Sequence, residues 1–273
     1  MSLKIITDSA CDLPSDIVEK YDIDVLPFLI YLDGEEYTDG IDITPDQVYG
    51  AIRASHIPTT GQVPVGQILA TFKKYAEQNR PCLYLSFSSK LSGSCNTARL
   101  VAQELKNAYS DFQITVVDTL SGCLGEGLIV LEAAQMAQAG VDSTQIIARV
   151  QKRSLNNVEH VFSVDDLNYL YRGGRVSYAS AFLGGLLSVK PILHVKDGLM
   201  VPFQKVRGKK MAIKRIVELV KERSLGNPDQ LIGISHADDP GMAAQLQALL
   251  TDVLGYRSFI VNVVGSVLGF HIG

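Results

Sequence analysis

Residues 82–98 decide the fold, and they read CLYLSF followed by SSKLSGSCNTA. The first six residues form an apolar run typical of a buried strand, and the residues from Gly93 onward have the spacing of a helix. A strand that leads through a short Ser- and Gly-rich turn into a helix is the unit from which parallel sheets are built. The stretch therefore predicts an α/β protein.

The turn at Ser92-Gly93 is also a candidate anion site. The first N–H groups of a helix lack partners within the helix, and the helix dipole favours a carboxylate or phosphate beside them. Gly93 allows a ligand to approach the backbone, and Ser92 offers an uncharged hydroxyl donor. The alternative is that Ser92 only caps the helix. The stretch by itself is compatible with both interpretations.

The first half of the chain alternates apolar runs with helical patterns, which predicts a mostly parallel sheet flanked by helices. The apolar runs lie at residues 4–7, 25–32, 83–87 and 114–117. The predicted helices span 14–21, 44–54, 67–78, 93–107, 125–139 and 144–154.

The second half predicts a second α/β unit, with a mixed sheet and helices. Strands are expected at 161–164, 190–195, 200–205, 231–235 and 258–263, and helices at 209–223 and 240–254. The turn Lys196-Asp197-Gly198 predicts an antiparallel hairpin. Turn-forming residues at 155–157 suggest a boundary, so we expect domains at 1–157 and 158–273.

Composition narrows the class of protein. The chain has 273 residues, is 47% hydrophobic and 20% charged, and carries a net charge of −4, which argues against nucleic acid as the main partner. We expect no membrane insertion, because no apolar run reaches the length of a spanning helix. The four Cys residues are far apart, without the spacing of a metal site, and indicate reduced thiols in the cytoplasm.

The sequence lacks several common catalytic motifs. The chain has neither G-x-S-x-G nor a P-loop, and Asp8 is not followed by the second acid of a dehalogenase-type phosphatase. Three polar stretches, at residues 7–9, 58–62 and around Ser92, are expected at the carboxyl ends of strands, where ligands bind in open α/β sheets.

Ordered motifs along nearly the whole chain resemble the DegV family. They are Ile6-Thr7-Asp8-Ser9, Pro58-Thr59-Thr60, Leu91-Ser92-Gly93-Ser94, Asp165-Asp166-Leu167, Gly173-Gly174-Arg175-Val176-Ser177, Lys190-Pro191-Ile192, Lys205-Val206-Arg207-Gly208-Lys209 and His236-Ala237.

The resemblance implies a two-domain bacterial protein that binds one long-chain fatty acid between its domains. Members of the FakB type present the acid to a fatty acid kinase, which makes acyl-phosphate for phospholipid synthesis. The resemblance implies that Thr60, Ser92 and the backbone of Gly93 hold the carboxylate and that His271 completes the polar network. It also implies that Arg175 and Arg207 engage the kinase. A cluster of Lys and Arg in the second half fits a docking face. We expect no cofactor, no metal and a monomer.

Two departures from the family pattern carry expectations of their own. Gly61 stands where the family commonly has a hydroxyl residue, which predicts a looser loop. The family usually continues past its C-terminal His-x-Gly, whereas this sequence stops at Gly273, so we expect His271 to be less firmly held. Apolar runs at 129–131, 182–187 and 263–264 are candidates to line the acyl tunnel.

Two other functions remain open from the residues. One is an acyl hydrolase or transferase with Ser92 as nucleophile and His271 as base. The other is a lipid-responsive regulatory protein. Turnover of acyl esters separates the first from a carrier, and lipid-dependent association with a target other than a kinase identifies the second.

Overall fold

The computed structural model describes residues 2–156, 158–165, 167–176 and 189–272, apart from the side chains of Asn156 and Arg172. Its strands are β1 (Lys4–Asp8), β2 (Asp24–Leu26), β3 (Leu29–Leu32), β4 (Glu35–Thr38), β5 (Thr59–Gly61), β6 (Cys82–Ser86), β7 (Ile114–Asp118), β8 (Val161–Ser163), β9 (Val189–Lys196), β10 (Leu199–Arg207), β11 (Leu231–His236) and β12 (Ser258–Val263). Its helices are α1 (Ser15–Lys20), α2 (Pro45–Arg53), α3 (Val65–Glu77), α4 (Ser94–Ala108), α5 (Cys123–Gln138), α6 (Ser143–Asn156), α7 (Leu167–Arg172), α8 (Lys209–Arg223), α9 (Pro240–Leu254) and α10 (Ser266–Ile272). None of these described helices is long and apolar enough to cross a membrane.

The first half is organised around a parallel sheet. Its strands lie in the order β2-β1-β6-β7, and every pair is parallel. Every residue of β1 and β6 is buried, as expected for strands covered on both faces. The predicted α/β class and the parallel sheet flanked by helices are confirmed.

The apolar run at residues 25–32 is divided between two sheets. Pro27, which has no backbone N–H to donate, separates β2 from β3. β2 pairs with β1, whereas β3 pairs antiparallel with β4 and β5. Asp33 and Gly34, with φ of 55° and 88°, form the tight turn from β3 to β4. This small sheet carries Thr60 on β5.

In the second half, β8, β9 and β10 form an antiparallel sheet, and β11 and β12 form a parallel pair. The predicted hairpin is confirmed: Asp197 and Gly198 have φ of 51° and 79°, the backbone that a two-residue turn requires. The hairpin tip reaches the first half of the chain, because the Ser88 hydroxyl donates to the Gly198 carbonyl at 2.8 Å.

The largest apolar core contains residues of both halves, among them Ile6, Leu193, Val264 and Val267. Residues 129–131, a candidate tunnel lining, are buried in a second core between α5 and the parallel sheet. The candidate run 182–187 and the boundary residue Asn157 lie outside the described residues. The division into domains 1–157 and 158–273 stays a prediction.

The C-terminal helix α10 was not predicted, and it is well anchored. Tyr49 on α2 donates its hydroxyl to the Val264 carbonyl at 3.1 Å, and the Gly265 N–H donates to the Asp12 carboxylate at 2.9 Å. The helix packs against α2, where the missing side chain of Gly269 makes room for the Tyr49 ring. His271 is only 5% exposed, so the expectation that it is loosely held was wrong.

Candidate functional site

A cavity of about 200 Å³ lies where the two halves of the chain meet. Its described polar lining consists of Thr60, Gln62, Ser92, Arg175 and His271, with Gly61 and Gly93 beside them. Its described apolar lining consists of Phe28, Phe87, Leu91, Met200, Val267 and Leu268. The structure thus brings the four predicted carboxylate-binding residues to one cavity, although their role as ligand contacts stays a prediction.

Ser92 lies in the turn between β6 and α4. Gly93 is the N-cap residue, and the Ser92 hydroxyl oxygen accepts the N–H of Ser94 at 3.2 Å. The prediction that Ser92 is itself the N-cap was wrong, because Ser92 lies one residue before the N-cap, although its oxygen still satisfies the first N–H of the helix. Ser92 also lines the cavity, as the anion-site interpretation predicts.

Gly93 allows two loops to meet beside Ser92. A Cβ atom at this position would overlap the side-chain oxygen of Gln62. The segment of Gln62 is also tied to α4, because the Val63 N–H donates to the Ser94 hydroxyl oxygen at 3.1 Å. The loops that carry Thr60 and Ser92 are thus held side by side.

Thr60 meets His271 across the cavity wall. Thr60 is the middle residue of β5 and pairs with Ile30, and its hydroxyl lies 3.2 Å from the Nε2 atom of His271. The loop expected to be looser at Gly61 is instead the end of β5. A Cβ atom on Gly61 would lie 3.1 Å from the Tyr31 ring, which occupies the space of the missing side chain.

His271 is neutral near pH 7. Burial, together with the nearby charge of Arg175, lowers its pKa from 6.5 to about 4. Its Nδ1 atom is buried and has no hydrogen-bond partner among the described residues. An unpaired N–H is rarer in protein interiors than an unpaired acceptor, so we assign the proton to Nε2, which donates to Thr60. The Thr60 hydroxyl proton is then free for a ligand.

Arg175 lies at the edge of the cavity with its side chain exposed. Its guanidinium donates to the Leu91 carbonyl at 3.4 Å and to the Gly173 carbonyl. These bonds brace the Gly173-Gly174 turn and tie it to the turn before Ser92. The predicted docking residue therefore also has a structural role and borders the predicted carboxylate site.

Arg207 is the last residue of β10, is exposed, and is not among the described residues that line the cavity. Elsewhere in the basic second half, Lys190 and Lys209 both pair with the carboxylate of Asp165, at 2.8 and 3.1 Å. Part of the predicted basic face is thus neutralised within the protein.

The polar stretch at residues 7–9 is structural. Thr7 donates its hydroxyl to Glu126, and the buried Asp8 accepts the N–H of Phe87 at 2.9 Å. The Ser9 hydroxyl oxygen accepts the N–H of Phe28. Burial raises the pKa of Asp8 to about 6, partly offset by the hydrogen bonds that its carboxylate accepts from Phe87, Tyr84, Ala10 and Ser86. Of the three predicted polar stretches, only the two around Thr60 and Ser92 line the cavity.

The sequence analysis included Gln62 and Ser94 in its polar stretches but did not predict that Gln62 lines the cavity or that Ser94 supports it. Gln62 follows Thr60 by two residues, the spacing that places side chains on one face of a strand, so the signal was present. Ser94 carries no comparable signal, because its partner Val63 is 31 residues away.

The hydrolase alternative requires a bond between Ser92 and His271. The Ser92 hydroxyl instead lies 3.0 Å from that of Ser94, and His271 Nε2 is bonded to Thr60. The described part of the chain offers no acid to orient the Nδ1 atom of His271. The same part contains no group of three His, Cys, Asp or Glu side chains arranged for a metal ion.

Comparisons with known proteins bear on this site. The model of the DegV family, described as uncharacterised proteins, matches residues 2–273. A DegV domain-containing protein of Clostridium perfringens is 37% identical over 272 residues, which are 98% of this chain and 93% of that protein.

Two solved structures are similar over nearly their whole length. One, which reports fatty acid binding of a DegV family protein from Thermus thermophilus, has 31% identity and a TM-score of 0.87, and covers 100% of this chain and 96% of that chain. The other, a stearic-acid-binding protein from Eubacterium ventriosum, has 25% identity and a TM-score of 0.89, and covers 99% and 94%. The chain therefore belongs to the DegV family.

Proposed function

We propose that the protein binds one long-chain fatty acid, with the carboxylate at Thr60, Ser92 and Gly93, His271 completing the network through Thr60, and the acyl chain among the apolar residues of the cavity. The observation that carries the proposal is the meeting of two uncharged hydroxyls with a helix N-terminus at one end of a cavity that also has an apolar wall. The fatty-acid-binding relatives share this fold.

The donors at this end suit an ionised carboxylate. Neutral His271 donates to Thr60, which leaves the Thr60 hydroxyl to donate to the ligand. The N-terminus of α4 adds a favourable dipole. Arg175 contributes positive potential while its guanidinium is held by backbone carbonyls, so the carboxylate is bound mainly by uncharged groups.

The acyl chain supplies most of the binding free energy. Burial contributes about 0.8 kcal/mol for each methylene, or on the order of 12 kcal/mol for a sixteen-carbon chain buried along its whole length, before the costs of association. The cavity of about 200 Å³ is smaller than most ligand pockets and holds only part of such a chain, so the rest must be covered beyond it. A single hydrogen bond to a charged group contributes about 1.5–3 kcal/mol. The polar residues therefore set the orientation of the ligand, and the tail sets the scale of the affinity.

We expect the protein purified from a bacterial host to carry about one fatty acid per chain, because the cavity offers one set of carboxylate donors, at Thr60 and Ser92. Mass spectrometry of the lipid extracted after denaturation measures the content and identifies the chain. Delipidated protein is then offered oleate and palmitate. A protein that is purified without lipid and takes up neither acid contradicts the proposal.

We further propose that the bound acid is presented to a fatty acid kinase for phospholipid synthesis, in the cytoplasm and by a monomer. The family resemblance supports this role, as does the position of the exposed Arg175 beside the carboxylate end of the cavity. Arg207 is exposed on β10 and offers the bidentate donors that suit a phosphate or carboxylate on a partner.

Arg207→Ala is expected to keep its lipid and its melting temperature while losing about tenfold or more of acyl-phosphate formation with a cognate kinase, because an interfacial charge pair is lost. Lys106→Ala, which removes an exposed charge at the far end of α4, is the matched control and is expected to behave as wild type. Arg175→Ala is expected to lose both activity and lipid affinity, because its guanidinium braces the Gly173 turn. Normal phosphorylation in Arg207→Ala refutes its docking role.

A further inference from the structure

Ser94 is a buried hydroxyl residue that the proposed contacts with the carboxylate do not include. It is the first residue of α4 and is fully buried. Its oxygen accepts the Val63 N–H at 3.1 Å and lies 3.0 Å from the Ser92 oxygen. Its own backbone N–H donates to Ser92 at 3.2 Å. Ser94 thus touches Ser92 twice, once through its backbone and once through its side chain.

The hydrogen bonds determine where each hydroxyl proton points. A serine hydroxyl has one proton to donate and two lone pairs that accept. Ser94 accepts from Val63, and among the described residues the acceptor within reach of its own proton is the Ser92 oxygen. If Ser94 donates there, the Ser92 oxygen accepts two bonds, from the hydroxyl and the N–H of Ser94. Both lone pairs of Ser92 are then occupied, and its remaining capacity is one O–H donor.

We propose that Ser94 is a positioning residue that turns the hydroxyl proton of Ser92 into the cavity and makes Ser92 a donor only. The inference rests on the proposed binding of a fatty acid. A group that only donates favours a headgroup that only accepts, which is the ionised carboxylate. Ser94 thereby selects the charged form of the ligand without touching it.

A second effect of Ser94 reinforces the first. The Val63 N–H that Ser94 accepts belongs to the segment that follows Thr60 and Gln62. One buried oxygen therefore ties the Thr60 segment to the start of α4, next to Ser92. The two donors for the carboxylate are held at a constant separation as well as in a constant orientation.

The test is a double-mutant cycle of Ser92→Ala and Ser94→Ala, with oleate labelled with ¹³C at the carboxyl carbon. We expect each single variant to bind oleate about tenfold more weakly, since each removes or misdirects one hydrogen bond to a charged group. We expect Ser94→Ala to cost clearly less affinity when Ser92 is alanine than when Ser92 is present, because the part of its effect that passes through Ser92 is then already lost and only its bond to the Thr60 segment remains. NMR titration of the bound carboxyl is expected to show a higher pKa in Ser94→Ala than in wild type, because a weaker donor stabilises the anion less.

Thr119→Val is the control for the loss of a buried hydroxyl. Thr119 donates to the Ser86 carbonyl at 2.8 Å and accepts the N–H of Ser121, so it copies the bonding of Ser94 without lining the cavity. Its variant is expected to be less stable but to leave the bound carboxyl pKa unchanged. If wild type binds oleate, and Ser94→Ala lowers the affinity equally in the wild-type and Ser92→Ala backgrounds, the positioning role of Ser94 is refuted while the proposed fatty-acid binding stands. If wild type does not bind oleate, both proposals fall.

Discussion

Replacing Gly173 with alanine is expected to weaken fatty-acid binding by about 10- to 100-fold, the cost of losing a hydrogen-bond network at a charged headgroup. A Cβ atom at Gly173 would overlap Nδ1 of His271 and lie 2.9 Å from its Cε1 atom. The ring is buried against Phe270 and α7, so it moves only by giving up its bond to Thr60. Isothermal titration of the delipidated variant with oleate measures the loss.

The neighbouring glycine provides the control. Gly174 has a φ of 68°, and a Cβ atom there would meet nothing within 4 Å. Gly174→Ala is expected to cost about 1–2 kcal/mol of folding free energy through its left-handed backbone, with oleate affinity unchanged. Thr60→Val is expected to reproduce the affinity loss of Gly173→Ala without moving His271. Wild-type affinity in Gly173→Ala would show that the position of His271 does not matter for binding.

Asp8→Ala is expected to lower the free energy of unfolding by about 3 kcal/mol. The Asp8 carboxylate accepts the Phe87 N–H at 2.9 Å, the Tyr84 hydroxyl at 3.1 Å and the Ala10 N–H at 3.3 Å, all of them buried. Each donor left without an acceptor costs about 1–3 kcal/mol, and relief of the burial of a charged group offsets part of the sum. Urea unfolding at constant pH measures the difference, and an unchanged midpoint contradicts it.

Asp8 also contributes a pH dependence of defined sign. Burial raises its pKa in the folded protein to about 6, from 3.8, so the folded state holds this proton more tightly than the unfolded state. The stabilising contribution of Asp8 is complete below 3.8 and is lost as the pH rises through about 6. Asp8→Asn cannot titrate. The free energy of unfolding of wild type minus that of the variant is therefore expected to fall across this range, which separates Asp8 from other buried acids. Parallel curves contradict the assignment.

The parallel half of the fold was predictable because its strands are continuous apolar runs between helices. The runs at 4–7, 83–87 and 114–117 correspond to β1, β6 and β7. The short strands β4 and β5 escaped prediction, since each takes its conformation from pairing with β3. Helix α10 escaped for a related reason: it has seven residues, includes Gly269, and depends on packing against α2.

The sequence predicted which residues belong to the site but not which hydrogen bonds join them. The motifs that resemble the DegV family name Thr60 and Ser92, but no local pattern shows that Thr60 meets a histidine 211 residues later. Likewise, the Arg175 guanidinium donates to the carbonyl of Leu91, which lies 84 residues earlier in the chain. This bond gives Arg175 a structural role beside the cavity in addition to the predicted docking role. Long-range hydrogen bonds follow from the arrangement of the elements, and single-sequence patterns carry no record of them.

The contact between the hairpin tip and Ser88 links the second half of the chain to the turn that carries Ser92. The Ser88 carbonyl accepts the N–H groups of Leu91 and Ser92 at 3.0 and 3.1 Å, and its hydroxyl donates to Gly198. The second half of the chain is thus hydrogen-bonded to Ser88, the residue that begins the turn carrying Ser92. Coupling between two equilibria is reciprocal. If the hydrogen bond between Ser88 and Gly198 strengthens ligand binding, the bound ligand strengthens that hydrogen bond by the same free energy. Weakening this hairpin contact therefore also weakens the binding of that ligand.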